Sequence, residues 1–412
     1  MAFSRVSVVG LGYIGLPTAA VIASRGIDVI GVDVSEHAVK TINEGKIHIV
    51  EPDLDMVVQA AVQIGKLRAS MKAEPADAFM IAVPTPFKEG KSPDLKYIHA
   101  AAKSIAPVLE KGNLVILEST SPVGATEQLA KWLKELRPDL NSPIDSGNPD
   151  IFIAHCPERV LPGRVLEELV ANDRIIGGLS PACSEKAKEL YKTFVRGECI
   201  TANARTAEMA KLTENSFRDV NIAFANELSL ICDELNINVW ELIKLANRHP
   251  RVNILNPGPG VGGHCIAVDP WFIVDSAPET ARIIRTAREI NDYKPEYVLK
   301  KVHEAADEFK RPVIGVLGLT FKADIDDLRE SPALNIAKQL DKEEVGKLLI
   351  VEPNIKKLPD GFNTQNAHLV DLTEALEKCN VLVVLVDHTP FRQVPANALH
   401  NKVIIDTRGL FS

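Results

Sequence analysis

Long apolar runs are missing. No stretch of the 412 residues approaches the ~20 apolar residues that span a bilayer, so no transmembrane helix is expected. The amino terminus lacks a charged segment followed by an apolar one. Residues 1–5 lead directly into a strand-like run, so no signal peptide is expected and the predicted location is cytoplasmic. Metal-ligand spacing is missing too. The six cysteines, Cys156, Cys183, Cys199, Cys232, Cys265 and Cys379, lie far apart, which argues against a metal site and for reduced thiols. Positive charge is in deficit: 47 Lys and Arg against 55 Asp and Glu leave a net charge of −8. General affinity for nucleic acid or anionic membranes is therefore not expected, and any anionic ligand must be met by locally placed Arg and Lys. Low-complexity tracts and short repeats are absent. What remains is an average globular composition, 46% hydrophobic and 25% charged, in a chain long enough for two or three domains.

The chain opens with a short apolar strand, Val6-Ser7-Val8-Val9. Then come Gly10-Leu11-Gly12-Tyr13-Ile14-Gly15, a helical run over 16–24, and a second strand over 28–32 that ends in Asp33. Strand, G-x-G-x-x-G, helix, strand and acid together form the dinucleotide-binding fingerprint. Gly10 permits the tight turn, Gly12 lets a pyrophosphate approach the backbone, and Gly15 lets helix and strand pack closely. The helix N-terminus supplies unpaired N–H groups and a positive dipole end. Asp33 accepts hydrogen bonds from ribose hydroxyls. A carboxylate there repels a 2′-phosphate, and Val34-Ser35-Glu36 brings no arginine, so NAD is expected rather than NADP.

Further strands are predicted over 78–83, 114–117, 151–154 and 174–176, with helical stretches such as 95–109 between some of them. The alternation predicts an α/β fold with a mostly parallel, doubly wound sheet, whose ligands sit at the carboxyl ends of the strands. Three polar turns fall there: Val83-Pro84-Thr85-Pro86, the turn from Glu118 through Thr120 to Thr126, and the turn from His155 through Glu158 and Pro162 to Gly163. Each of Thr85, Thr120 and Thr126 serves equally well as a turn or cap hydroxyl. Glu158 reads either as a surface carboxylate or as a functional one on the ligand side.

A long helix is predicted over 206–235. Winding it at about 100° per residue gathers Lys211, Asn215 and Arg218 into one polar stripe. Opposite lies a broad apolar face that includes Met209, Leu212, Phe217, Phe224 and Ile231, as suits a core or subunit-interface element. Taken alone, the stripe reads as a solvated face. A helix over 239–246 leads into the cation-rich turn Asn247-Arg248-His249-Pro250-Arg251. The loop that follows is dense in glycine and proline: Pro257-Gly258-Pro259-Gly260-Val261-Gly262-Gly263-His264-Cys265, then Asp269. Neither helix nor sheet tolerates that density, and Gly262-Gly263 allows close backbone approach. A thiol follows at once, and a small buried thiol is its bland reading. Another helix is predicted over 279–307 with a break at Pro295. The opening grammar then returns. A strand and glycine turn, Val313 to Leu319, is followed by strands over 348–351, 381–386 and 403–405. This predicts a second Rossmann-like domain without the full fingerprint. A single nucleotide half suits it better than a dinucleotide, with Lys322 and Arg329 as candidate phosphate partners.

These motifs together resemble the UDP-glucose/GDP-mannose dehydrogenase family over essentially the whole chain. The resemblance rests on the Gly10–Gly15 turn, Ser119-Thr120-Ser121-Pro122-Val123-Gly124, Cys156-Pro157-Glu158, Lys211 with Asn215, Gly262-Gly263-His264-Cys265 with Asp269, and Phe321-Lys322 through Asp327-Leu328-Arg329. It implies two Rossmann-like doubly wound domains joined by a long central helix. The implied domains are an NAD-binding domain over 1–200, a central helical dimerisation and catalytic domain over 201–308, and a UDP-sugar-binding domain over 309–412. The implied reaction oxidises a sugar 6-hydroxyl to a carboxylate with two NAD in sequence. Lys211, or a water held by Lys211, Asn215 and Thr120, is the implied base. Cys265 is the nucleophile, forming a thiohemiacetal and then a thioester. Glu158 is the base for hydrolysis, and Asp269 orients the loop or a water. His264 receives no catalytic role. Cofactor contacts are expected from Gly10, Gly12, Tyr13, Ile14, Gly15, Asp33, Thr85, Thr126 and Arg329. Substrate contacts are expected from Arg159, Val160, Lys211, Asn215, Arg218, His249, Arg251, Gly262, Phe321 and Lys322, in a homodimer.

The wording from Asn247 to Leu255, running into the cysteine loop, implies UDP-N-acetyl-D-mannosamine as substrate, oxidised for bacterial surface polysaccharide such as enterobacterial common antigen. UDP-N-acetylglucosamine or UDP-glucose are the alternatives. Pro162 and Val268 stand where UDP-glucose enzymes of the family carry Glu and Lys, which weakens the UDP-glucose reading. A two-electron dehydrogenase of the 3-hydroxyacid type shares the Lys–Asn pair but needs neither the loop thiol nor a second Rossmann-like domain. A nucleotide sensor without chemistry predicts an inert Cys265.

Overall fold

The computed structural model describes residues 3–145, 148–160, 163–263 and 265–411; His264 and Pro162 lie outside the described residues. The chain divides into two compact units, Met1–Glu214 and Asn215–Ser412. The first holds β1 (Arg5–Val9), β2 (Asp28–Val32), β3 (Leu67–Ser70), β4 (Ala78–Ile81), β5 (Leu114–Leu117), β6 (Phe152–His155), β7 (Arg174–Gly178) and β8 (Cys199–Asn203). They form one sheet in the order β3-β2-β1-β4-β5-β6-β7-β8. Its pairings are parallel except β6 with β7. β4 and β5 are buried along their whole length because both sheet faces carry a core. Leu114 and Ile116 join one hydrophobic cluster, and Val115 and Leu117 the other.

The second unit repeats the plan with β9 (Val313–Leu317), β10 (Lys347–Val351), β11 (Ala367–Leu369), β12 (Val381–Val384) and β13 (Val403–Asp406). Their order, β11-β10-β9-β12-β13, matches the first five strands of the other sheet. The likeness extends to the turn. In the first unit Asp33 ends β2 and accepts the Leu11 N–H at 2.8 Å. In the second, Glu352 follows β10 and accepts the Leu319 N–H at 2.8 Å. Glu352 is otherwise consumed: His388 Nε2 lies 2.9 Å away, Asn354 donates to it, and it is buried. An acid engaged in this way has fewer acceptor sites open to a ligand than Asp33 has.

Two sequence expectations change here. The helix Arg282–Ala306 passes through Pro295 without a break. Tertiary packing overrides the lost hydrogen bond: a Cβ on Gly260 would sit 3.0 Å from Pro295 Cγ and 2.9 Å from Pro332 Cβ, so the loop is packed on that ring. The 31-residue helix Ala204–Glu234 also departs from its wheel. Of the polar stripe, Lys211 is buried, Asn215 half-buried and Arg218 exposed, and Glu208, Ser216, Asp219 and Asn226 beside it are buried, so the stripe is solvated only at Arg218. Phe217, Phe224 and Ile231 are 71%, 51% and 45% exposed, so this part of the apolar face is left bare while Leu212 is buried. Among the described residues, no helix is long and apolar enough to cross a membrane.

Candidate active site

Within Met1–Glu214 the glycine turn is built as its residues demand. Gly10 sits at φ +93°, and a Cβ there would lie 2.5 Å from the Ala82 carbonyl oxygen. A Cβ on Gly15 would fall 1.7 Å from the Gly10 carbonyl oxygen. Gly12 is the opposite case: it is exposed, and a Cβ there would meet nothing within 4 Å. Tyr13 is exposed beside it and Ile14 is half-buried. The helix Gly15–Ser24 starts with no side-chain cap and no acid in its first turn, so its positive end is left for an external anion. Asp33, half-buried, accepts the Leu11 and Ser35 N–H groups at 2.8 Å on separate oxygens. Each oxygen keeps a further lone pair for a ribose hydroxyl. Open backbone, uncapped helix end and acceptor carboxylate fit a bound NAD. Asp33→Ala is expected to raise the KM for NAD roughly tenfold or more and to narrow the preference over NADP. Parallel NAD and NADP titrations measure both, and an unchanged ratio would remove Asp33 from cofactor choice.

The carboxyl ends of β4, β5 and β6 carry the polar turns. Thr85 is buried, with no hydrogen-bond partner for its hydroxyl among the described residues. Ser119 donates its hydroxyl to the Val83 carbonyl at 2.6 Å and Ser121 to the Ser119 carbonyl at 2.8 Å, which fixes the backbone around half-buried Thr120. Thr126 is fully buried, and its N–H and hydroxyl both go to Glu208 Oε1, at 2.8 and 2.6 Å. Gly124 N–H donates to the other Glu208 oxygen at 2.7 Å. Glu208 thus pins the turn to the long helix. Sequence reasoning missed it, although it lies one turn before Lys211 on the same stripe.

Glu158 is 8% exposed. Its Oε2 accepts the Val160 N–H at 2.9 Å, and its Oε1 lies 3.5 Å from the Nζ of Lys211, which is 7% exposed. A carboxylate and an ammonium paired away from water at a strand end form an acid–base couple. Arg159 is turned to the surface, with Nη2 2.8 Å from Glu214 and Nη1 donating to the Asp173 carbonyl. Val160 packs against the core.

Within Asn215–Ser412 the thiol loop has its own scaffold. Cys265 is exposed, whereas the other five cysteines are buried. It sits in a turn whose carbonyl accepts the Val268 and Asp269 N–H groups at 3.1 and 2.9 Å. Asp269 is buried, starts the helix Asp269–Ser276, and accepts from Asn215 Nδ2 at 2.5 Å. The paired glycines have a definite partner. A Cβ on Gly262 would lie 2.7 Å from the Glu330 carbonyl oxygen and 2.8 Å from Phe321 Cβ, and Gly263 faces the Phe321 ring at φ +83°. Upstream, Gly258 N–H donates to Asn226 Oδ1 at 2.9 Å. Arg218, His249, Arg251, Lys322 and Arg329 are exposed. His249 Nδ1 accepts the Arg251 N–H at 3.3 Å, and Arg329 pairs with Asp327 at 2.6 Å. Among the described residues, no group of three or more His, Cys, Asp and Glu is placed to hold a metal ion.

Residues 4–195 match the NAD binding domain of the UDP-glucose/GDP-mannose dehydrogenase family, residues 205–293 its central domain and residues 315–412 its UDP binding domain. The chain is 65% identical to an NDP-N-acetyl-D-galactosaminuronic acid dehydrogenase of Ralstonia nicotianae, over 100% of this chain and 97% of that protein. It is 60% identical to a UDP-N-acetyl-D-mannosamine dehydrogenase of Salmonella typhi over the full length of both. The solved UDP-D-ManNAc dehydrogenase of Pyrococcus horikoshii has the same fold, with a TM-score of 0.89 at 40% identity, covering 99% of this chain and 96% of the other.

Proposed function

The chain belongs to the UDP-glucose/GDP-mannose dehydrogenase family, and from that premise we propose that it oxidises the 6-hydroxyl of a UDP-N-acetylhexosamine to the carboxylate through a covalent intermediate on Cys265. It is an NAD-dependent UDP-sugar dehydrogenase. The observation that carries the covalent step is the exposed thiol: one cysteine of six, on a loop anchored by glycines too crowded for any side chain.

The Gly10–Gly15 turn and Asp33 would hold NAD, which would supply the hydride acceptor for each of the two oxidations. The protein supplies the rest. A water held by Lys211, Asn215 and Thr120 takes the 6-hydroxyl proton and passes it to solvent, while the Lys211 ammonium steadies the oxygen. The Cys265 thiolate adds to the aldehyde carbon, and the carbonyl oxygen takes a proton to give a thiohemiacetal. Its oxidation gives a thioester. Glu158 removes a proton from water as the oxygen attacks the thioester carbon, and the C–S bond breaks to release the acid and return the thiolate. Asp269 orients Asn215. Capture on sulfur holds the reactive aldehyde while one reduced cofactor leaves and another oxidised one enters. The division of labour follows the sequence boundaries: NAD on 1–200, the catalytic loop and subunit contact on 201–308, the UDP-sugar on 309–412.

UDP-N-acetyl-D-mannosamine is the first choice of sugar, since relatives at 59–60% identity carry that activity in their names. The 65% relative favours a second reading, an N-acetylgalactosamine-type sugar. NADH formed per sugar consumed, measured on UDP-N-acetylmannosamine, UDP-N-acetylgalactosamine, UDP-N-acetylglucosamine and UDP-glucose, separates these. Two NADH per sugar are expected, with UDP-N-acetylmannosamine preferred. Two NADH with another sugar preferred keeps the chemistry and changes the substrate, and one NADH rejects the thioester route.

The bare stripe Phe217, Phe224 and Ile231, at seven-residue spacing, supports a homodimer through the long helix. A monomeric mass by light scattering at micromolar protein would reject it.

A further inference from the structure

The acid–imidazole pair of the second unit, Glu352 and His388, takes no part in the steps above. β9 lies between β10 and β12, so the turn that leaves β9 emerges between Glu352, after β10, and His388, after β12. Both residues are buried, His388 completely. Their hydrogen bonds converge on that turn. Glu352 Oε2 accepts the Leu319 and Thr320 N–H groups at 2.8 and 3.3 Å. His388 Nδ1 accepts the Asp324 N–H at 2.9 Å and faces Asn354 Nδ2 at 3.2 Å. Two donors at Nδ1 place the ring proton on Nε2, which donates to Glu352 at 2.9 Å. The Thr320 hydroxyl closes the turn on the Lys322 carbonyl at 2.8 Å, and the Ser331 hydroxyl closes the whole 319–331 loop on the Leu319 carbonyl at 2.7 Å. Beside His388, Thr389 donates its N–H and hydroxyl to the Asp324 carboxylate at 2.9 and 2.7 Å.

Phe321 stands in the middle of this held segment, and the glycines before the thiol are packed on it. A Cβ on Gly262 would lie 2.8 Å from Phe321 Cβ and 2.8 Å from Pro332 Cδ, and one on Gly263 would lie 3.3 Å from the Phe321 ring. Cys265 follows two positions later in the chain. Upstream, a Cβ on Gly258 would lie 2.8 Å from Arg408 Nη1, and Arg408 is held at 2.6 Å by Asp387, the neighbour of His388. The thiol loop is thus seated on the carboxyl end of the second sheet. Glycine backbone has little conformational preference of its own, so a loop this rich in it takes its position from the groups it rests on.

We propose that His388 and Glu352 are positioning residues for Cys265: they fix the turn that carries Phe321, and Phe321 fixes the glycine backbone that leads to the thiol. This rests on the covalent role given to Cys265 above. The first oxidation needs no sulfur, and the cofactor turn belongs to Met1–Glu214, so loosening the pair spares both. The loss falls on capture of the aldehyde, because a reacting atom displaced by about 1 Å forms its bond far more slowly. Aldehyde that is not captured leaves as free aldehyde, and the second oxidation does not follow.

The test is the partition of product between released aldehyde and uronate, measured for the wild type and His388→Gln with a hydrazine trap for the aldehyde. Glutamine keeps a donor for Glu352 but leaves the Asp324 N–H without its acceptor. The ratio of aldehyde to uronate should rise roughly tenfold or more in the variant, with the KM for NAD unchanged within about twofold. A merely structural role would lower all turnover in proportion to the folded fraction and leave the ratio as in the wild type, so an unchanged ratio overturns the proposal. One NADH per sugar in the wild type would instead reject the covalent role of Cys265, and so identifies failure of the underlying reading. Should His388→Gln not fold, Asp324→Gly decides. It removes both Thr389 bonds at the exposed end of the turn, and the φ of +60° at that position suits glycine. A raised ratio there supports the positioning role, and an unchanged one overturns it.

Discussion

Cys265→Ser is expected to abolish uronate formation, by about a thousandfold or more, while leaving NAD binding intact. Serine is nearly isosteric but is not ionised near neutral pH, and an ester is hydrolysed less readily than a thioester. The first oxidation needs no sulfur, so a sugar aldehyde should form without acid. No other thiol can stand in, since Cys156, Cys183, Cys199, Cys232 and Cys379 are all buried. The variant is checked by product analysis for uronate and by NAD titration. Full retention of uronate would rule out the covalent route, whereas joint loss of uronate and NAD binding would point to a collapsed fold.

The second large effect is on stability. Asp219→Ala should cost about 3 kcal/mol, because it leaves the fully buried Arg288 guanidinium, whose Nη1 lies 2.6 Å from Asp219 Oδ1, with only the partly exposed Asp292 as a charged partner. Burial holds the Asp219 carboxyl above its usual range despite Arg288, so the pair already sits in a poorly solvated place. The same oxygen accepts from Asn291 Nδ2 at 2.8 Å, Asn291 Oδ1 accepts from Asn226 at 2.9 Å, and Asn226 holds Gly258 at the head of the thiol loop. Thermal unfolding should show a Tm lower by roughly 10 °C. Replacing both partners, Asp219→Leu with Arg288→Leu, should recover much of the loss, because no buried charge is left unpaired and Asp292, the other partner of Arg288, keeps access to water. A single variant as stable as the wild type, or a double variant worse than the single, would contradict this account.

The first unit was readable to an unusual degree, and for a local reason. Gly10, Gly12, Gly15 and Asp33 are placed by backbone geometry and short-range contacts, so their spacing already contains the turn that the structure builds. Strand positions were legible because strands buried on both faces are short apolar runs. The long helix was read with the right length and the wrong exposure. Its wheel correctly separated polar from apolar residues, but which side is buried depends on partners such as Glu158 and Arg288, far away in the chain. Pro295 was misread likewise, since its cost falls on the helix and its packing gain lies in Gly260 and the loop. Glu208 and His388 were passed over because a polar side chain declares nothing until its neighbours are known.

The sequence by itself determined the two Rossmann-like units, the NAD turn, the family and the crowded glycine loop before a thiol. All of these are set by residues close together in the chain. Tertiary structure alone decided that Cys265 is the exposed thiol of six, that Lys211 meets Glu158 away from water, and that His388 and Glu352 hold the turn carrying Phe321. Exposure, ion pairing and hydrogen bonding belong to an environment assembled from distant segments.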